Sequence, residues 1–275
     1  MFHTLWRPAG EGVLGRLLST TVWAGVRRLG EGPRSLAGPL ILLSTIVLWA
    51  ALLVVGFALV YVAHLPDGFS YGSTLDPTAR AGLVDALYVS TVVLATLGLG
   101  DIVPVDAWLR LVVPLQALLG FALLTAGVSW VLQIQPALGR RRSLARHVTA
   151  LRGGQEDAGT SLTPTEVGGI AAQLSRIHVD LRQSSTTFYF AERETAEALP
   201  RVLPYVRSIA LHAAADDDAA LRLAGATLDR VVVGLAELLA TRFVSTDDDA
   251  DTDEVLRRFA EDHGHPPDVA AVGRH

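Results

Sequence analysis

Two long apolar stretches, residues 40–62 and 108–134, constrain this sequence more than any other feature. Each can cross a bilayer as a helix, which takes about 20 residues at about 1.5 Å of rise apiece. The first carries no charged side chain and the second only Arg110, close enough to its start for the guanidinium to reach the interface. Apolar residues are concentrated here rather than spread along the chain, which argues against two buried helices of a large soluble core. Between them lies a shorter apolar run, residues 82–95. As a helix it would measure roughly 21 Å, too short to span. A segment that enters a membrane and turns back needs protein or water around it, because unpaired backbone in lipid costs several kcal/mol. The predicted order is therefore span, half-helix, glycine-rich turn, span.

Charge sets the orientation. Arg7, Arg16, Arg27, Arg28 and Arg34 precede the first span, and Arg140, Arg141, Arg142 and Arg146 follow the second. The connection, residues 64–107, has Arg80 as its only basic residue, against Asp67, Asp76, Asp85, Asp101 and Asp106. Both termini are thus expected to be cytoplasmic in a multi-pass protein of the plasma membrane, with the connection outside. The start lacks the compact apolar core and small-residue cleavage site of a secretory signal. The net charge of −5 conceals a division: residues 1–152 hold 12 Arg against 7 acidic groups, and the rest 11 against 21. The basic half is expected against lipid headgroups, anionic at the cytoplasmic face, and the acidic half in solvent; nucleic acid is not an expected partner. With no cysteine, disulfides, thiolate chemistry and sulfur-ligated zinc are excluded.

These patterns predict an all-α membrane protein in four segments. Residues 1–36 include an amphipathic or interfacial helix over 3–30, with apolar area from Trp6, Val13, Leu14, Leu17, Leu18, Trp23, Val26 and Leu29, interrupted by Gly10, Gly12, Gly15 and Gly25. Residues 37–138 form the membrane domain, opened by Gly38-Pro39, with an external loop around Pro66-Asp67-Gly68 and residues 71–77. Residues 139–164 are a basic junction and linker, the linker over 151–164 being marked by Gly153, Gly154 and Gly159. Residues 165–275 read as a cytoplasmic helical domain with a flexible tail, its helices at 166–182, 188–214, 219–243 and 253–263. Its length suffices for one modest core, and Val231, Leu235, Leu238 and Leu239 mark an apolar face of the third helix.

The turn after the half-helix reads Ala95-Thr96-Leu97-Gly98-Leu99-Gly100-Asp101. A filter for a dehydrated cation must offer several closely spaced oxygens, yet bind weakly enough at each to release the ion. The carbonyls of Thr96, Leu97, Gly98 and Leu99 meet that need if the strand is nearly extended and all four point one way, with the Thr96 hydroxyl adding a ring at the inner end. Gly98 and Gly100 suit positions of positive φ, which cost other residues about 1 to 2 kcal/mol or more. The side chains of Leu97 and Leu99 would then pack behind the strand. The half-helix directs its C-terminal dipole to where a cation waits at mid-membrane, and Asp101 and Asp106 raise the cation concentration at the outer mouth. One strand cannot enclose an ion; four around an axis can, so cyclic assembly belongs to this reading. Gly120 and Gly127 in the second span mark either a gating bend or close packing, alternatives that the residues alone leave open.

Thr96 to Asp101, between a pore-type half-helix and a second span, resembles the signature of two-span potassium channels, whose usual form is Thr-Val-Gly-Tyr-Gly-Asp. The resemblance covers residues 38–138. It implies a homotetramer with a four-fold filter, K+ as permeant ion and no cofactor, ion sites at Thr96, Leu97, Gly98 and Leu99, Asp101 bracing the filter from behind, and Gly120 at the hinge glycine of the inner helix. Leu99 stands where tyrosine is usual, Val89 where a bracing tryptophan is common, and Val92 where some members place a glutamate that pairs with the filter aspartate. The backbone pattern is kept while the aromatic cuff is not. A potassium channel is the expectation; a weakly selective or non-selective monovalent cation channel is the alternative if selectivity rests on a stiff cavity. A non-conducting, membrane-anchored structural or adaptor protein follows if the glycines serve only a turn.

Other motifs carry less. No further span with spaced arginines offers a voltage sensor, and no Gly-x-Gly-x-x-Gly fingerprint marks a nucleotide-binding domain. Residues 247–254 resemble a calcium loop only in composition, with Thr252 where glycine and Arg258 where glutamate is required. Asp216-Asp217-Asp218 reads as a helix junction with N-cap character. His263, His265 and His275 lie among terminal residues expected to be flexible, and His178, Ser184 and Ser185 lack an elbow or orienting carboxylate. An enzyme is therefore not expected.

Overall fold

The computed structural model describes residues 13–28, 36–192, 194–244 and 250–265. Within them the chain runs α1 (Val13–Arg28), α2 (Ala37–Val62), β1 (Phe69–Tyr71), α3 (Leu83–Leu94), β2 (Ile102–Pro104), α4 (Leu109–Ala158) and α5 (Pro164–Gln183). Two short 3-10 turns, Ser185–Tyr189 and Thr195–Glu197, lead to α6 (Leu199–Ala214), α7 (Ala219–Arg242) and α8 (Thr252–Asp262). The chain divides into two compact units: Leu42–Leu132, and Met1–Ile41 with Gln133–His275.

In the first unit, α2 and α4 are long and apolar enough to cross a membrane. The chain itself covers little of them: 6% and 17% of their most apolar windows are buried. Helices apolar on every side and left uncovered suit lipid or further copies of the same chain. Helix α3 has 12 residues, or about 18 Å, and cannot span. Its start is set by Asp85, which lies in the first turn, where the helix dipole favours an anion, and accepts a hydrogen bond from the Gly82 N–H at 3.4 Å. Ala58, Tyr61, Phe69, Ala86, Val89 and Leu109 form a small core that joins α2, α3 and the start of α4. The connection between α2 and α4 departs from the all-α expectation, for β1 pairs antiparallel with β2, Ser70 opposite Val103. Strands of 3 residues are too short for an alternating pattern to show in sequence.

The second unit has a continuous core of α1, α5, α6, α7, α8 and the 3-10 turn at Ser185–Tyr189. Its helix starts are written locally. The Thr163 hydroxyl accepts from the Glu166 N–H and the Glu166 carboxylate accepts from the Thr163 N–H, with Pro164 in the first turn; Asp218 and Asp251 cap α7 and α8. The helix expected over 3–30 is α1 among the described residues, with residues 3–12, 29 and 30 lying outside them; it buries Trp23 and Val26 in this core and leaves Leu17 exposed. Two expectations are corrected here. Residues 151–158 are helical, despite Gly153 and Gly154, because Leu151 packs on the core and Arg152 pairs with Glu156 one turn on. The helix expected over 188–214 begins only at Leu199, where Pro200 sits in the first turn; the stretch before it makes 3-10 turns.

Candidate ion pathway

Helix α3 ends in a defined stop. The Leu97 N–H donates to the Val92 carbonyl at 3.0 Å and the Thr96 N–H to the Val93 carbonyl at 3.0 Å, the paired bonds of a Schellman motif. That motif needs a left-handed residue, and Thr96 takes it, with φ 57°. A β-branched residue there is strained by about 1 to 3 kcal/mol, and such strain gathers at functional positions. Gly98 and Gly100 follow with φ of 54° and 81°, and no other non-glycine residue among those described has positive φ. The sign of φ thus alternates from Thr96 to Gly100. Alternation of hand along successive peptides turns their carbonyls toward one side of the strand and their N–H groups toward the other.

The Asp101 end of this strand is held from two directions. The Tyr88 hydroxyl on α3 donates to Asp101 Oδ2 at 2.6 Å, and the Gly72 N–H donates to the Asp101 carbonyl at 2.8 Å. The first is a short charge-assisted bond. Asp101 therefore has a donor although Val92 supplies none, and Tyr88 is a site residue the sequence reading missed. Its signal was an aromatic hydroxyl on the half-helix, facing the same end as the aspartate. β2 begins directly after Asp101 and, through its pairing with β1, ties the end of the strand to the hairpin. The carbonyl of Gly68 next to β1 accepts from the Val105 N–H, which continues that tie toward Asp106.

In a single chain Leu97 and Leu99 are 64% and 61% exposed, and a Cβ built on Gly98 or Gly100 would meet nothing within 4 Å. Val89 is buried in the small core of this unit.

Gly120 and Gly127 both sit where α4 is closely approached. A Cβ on Gly120 would overlap the Leu94 carbonyl oxygen, and one on Gly127 would lie 3.1 Å from Ile46 Cδ1. The helix is continuous through both. Close packing, one of the two alternatives, is thereby given a partner at each.

The basic residues beyond the span are engaged within the second unit. Arg140 pairs with Asp180 at 2.7 Å, Arg142 with Glu197 at 3.8 Å, and Arg146 with Glu194 and Glu197. Arg141 is buried, as is Glu192 at 3.5 Å, and it also donates to the Thr187 and Phe190 carbonyls. The partners of this cluster come from the acidic excess of residues 153–275. His263, expected in a flexible end, is fully buried. Its ring nitrogens lie 2.8 and 3.0 Å from the Phe188 and Phe259 carbonyls, with the Trp23, Phe188 and Phe259 rings around it. Burial, with Arg141 nearby, lowers its pKa to about 3. His265 meets the Glu192 carbonyl, and His275 lies outside the described residues. Asp216 and Asp218 make the α6–α7 junction, and His178 makes no hydrogen bond with Ser184 or Ser185. Asp251 caps α8, while residues 245–249 of the loop expected there lie outside the described ones. Among the described residues no group of three or more His, Asp or Glu is placed to hold a metal ion.

A family profile described as "Ion channel" matches residues 45–134. This stretch contains most of α2, all of α3, the Thr96–Asp101 strand and the first part of α4, so this part of the chain is similar to an ion-channel domain. An uncharacterized membrane protein, YdjJ, of Bacillus subtilis (strain 168), is 32% identical over 154 residues, covering 55% of this chain and 44% of that protein. The chain thus spans less than half the length of the curated relative it matches. No solved structure matches the chain.

Proposed function

We propose that this membrane protein conducts K+ passively, four chains around an axis contributing the carbonyls of Thr96, Leu97, Gly98 and Leu99. The observation that supports this most is the alternation of φ along Thr96 to Gly100 at the end of a capped half-helix. Such a strand presents successive oxygens on one side, about 3 Å apart, which can replace a hydration shell stepwise. A lone strand leaves those oxygens open to one side, and the uncovered faces of α2 and α4 and the exposed leucines suit a ring of copies that closes it. The C-terminal dipole of α3 favours a cation below the filter, and Asp101 favours one above it.

K+ over Na+ discrimination rests, in this reading, on the number and strength of the carbonyl dipoles, with Tyr88–Asp101 fastening the strand in place of an aromatic cuff. The cell membrane, cytoplasmic termini and a non-enzymatic role belong to the same reading. The exposure of Leu99 specifically favours one competitor, a weakly selective cation pore. The test is tracer flux. Purified protein in liposomes should pass thallium or rubidium down a K+ gradient and migrate as a cross-linked tetramer. Absence of flux from a verified tetramer would favour a non-conducting adaptor.

A further inference from the structure

We infer that Gln116 is a positioning residue that fixes the half-helix and, through it, the filter. Gln116 lies in the middle of an otherwise apolar span and is fully buried. Its Nε2 donates to the Ser90 carbonyl at 3.0 Å and to Ser90 Oγ at 2.8 Å, while Tyr61 donates its hydroxyl to Gln116 Oε1 at 2.6 Å. Ser90 Oγ in turn donates to the Val54 carbonyl at 2.8 Å. One amide therefore joins α2, α3 and α4. Every side-chain donor in the set is used, both Gln116 N–H groups included.

A buried primary amide inside a bilayer is costly unless satisfied, so such a residue is kept for what it holds. What it holds is rotation and depth. Gln116 and Gly120 are one turn apart on one face of α4, and Ser90 and Leu94 are one turn apart on one face of α3. The first pair of positions is hydrogen-bonded, and at the second the backbones touch, since a Cβ on Gly120 would overlap the Leu94 carbonyl. Two rungs fix the helix both about and along its axis. The lower rung is at the last residue of α3, two before Thr96, so a turn or slip of α3 moves the filter carbonyls directly. An apolar contact at the upper rung would leave α3 free to rotate, because dispersion lacks direction where a hydrogen bond has it.

This role rests on the proposed conduction, so the experiment reads the half-helix and the ion separately. Full-length Gln116→Leu and Ser90→Ala proteins are compared with the parent by backbone hydrogen exchange in detergent and by K+/Na+ permeability ratio in bilayers. Gln116→Leu should raise exchange across residues 83–101 about tenfold, leave α5–α8 unchanged, and lower the permeability ratio about fivefold at unchanged tetramer yield. Ser90→Ala, which removes one hydroxyl, should do the same more weakly, about threefold, and keeps the inference testable if Gln116→Leu does not assemble. The double variant should be no worse than Gln116→Leu alone, since both act through one contact. Unchanged exchange over 83–101, or a rise spread evenly over both units, would overturn the positioning role. A parent protein without K+ current would instead overturn the conduction reading, with the exchange result still deciding the role of Gln116.

Discussion

The two units bury polar groups in opposite ways. Residues 42–132 enclose a neutral set, Tyr61, Gln116 and Ser90, with all donors used, and keep ionised groups out of the apolar windows. The second unit encloses a charged pair, Arg141 with Glu192, and leaves Arg141 Nε and Glu192 Oε1 without partners. The difference teaches where each can be tolerated. In hydrocarbon there is no water to complete a partial network, so only complete neutral ones persist. In a packed helical core outside the apolar helices, two backbone carbonyls and one carboxylate suffice to hold a guanidinium, at a cost that packing elsewhere offsets.

Four substitutions or conditions sharpen that contrast. The largest effect is expected at Arg141. Arg141→Leu leaves Glu192 charged and buried alone and should cost the second unit about 3 to 5 kcal/mol, read as a fall in its denaturation midpoint, whereas Arg141→Leu with Glu192→Leu should recover much of that. Recovery to no degree would mean that the carbonyl contacts outweigh the pair. Next is Gly120→Ala, whose Cβ must displace the Leu94 carbonyl; it should cost about 1 to 3 kcal/mol and suppress ion flux while the second unit's melting stays the same. Normal flux would show that α3 and α4 are not in backbone contact.

Acid comes third. The folded His263 has its pKa lowered to about 3, below an unfolded value of about 6.5. Between those pH values the unfolded chain binds the extra proton, so stability is full above about pH 6.5 and falls as pH drops toward 3. The slope reaches about 1.4 kcal/mol per pH unit, or about 2 kcal/mol by pH 5. His263→Gln should flatten this part of the pH dependence of melting; an unchanged slope would assign it to the carboxylates. The smallest effect is Tyr88→Phe, which removes the hydroxyl from Asp101 and should lower the K+/Na+ permeability ratio by about two- to fivefold without changing assembly. An unaltered ratio would leave Asp101 sufficiently held by the Gly72 N–H.

Much of the membrane unit could be read from residues alone, because length and apolarity decide whether a helix spans and both are local. The half-helix expected over 82–95 is α3, Leu83–Leu94, and the two spans lie within α2 and α4. The caps at Thr163, Asp218 and Asp251 are likewise local chemistry. What escaped reading depends on partners far along the chain. His263 is 75 residues from the carbonyl it meets at Phe188, and Gln116 is 55 from Tyr61. Charge patterning marked Arg140 to Arg146 as a basic cluster but not their carboxylate partners, since composition records an acidic excess and not where it folds. The glycines at 153 and 154 suggested a linker because their cost is visible locally, whereas the contacts of Leu151 that outweigh it are not. At the site itself, the glycine spacing pointed to the alternating backbone, and only the fold could disclose that Tyr88 stands behind Asp101.

The most direct measurement is the reversal potential of the reconstituted protein with K+ on one side of a bilayer and Na+ at equal concentration on the other. Conduction through four strands of backbone carbonyls predicts a large potential of the sign set by K+ moving alone, reduced together with the current when Gly98→Ala penalises the left-handed turn at φ 54° by about 1 to 2 kcal/mol. A potential near zero with a sizeable current would contradict K+ selectivity.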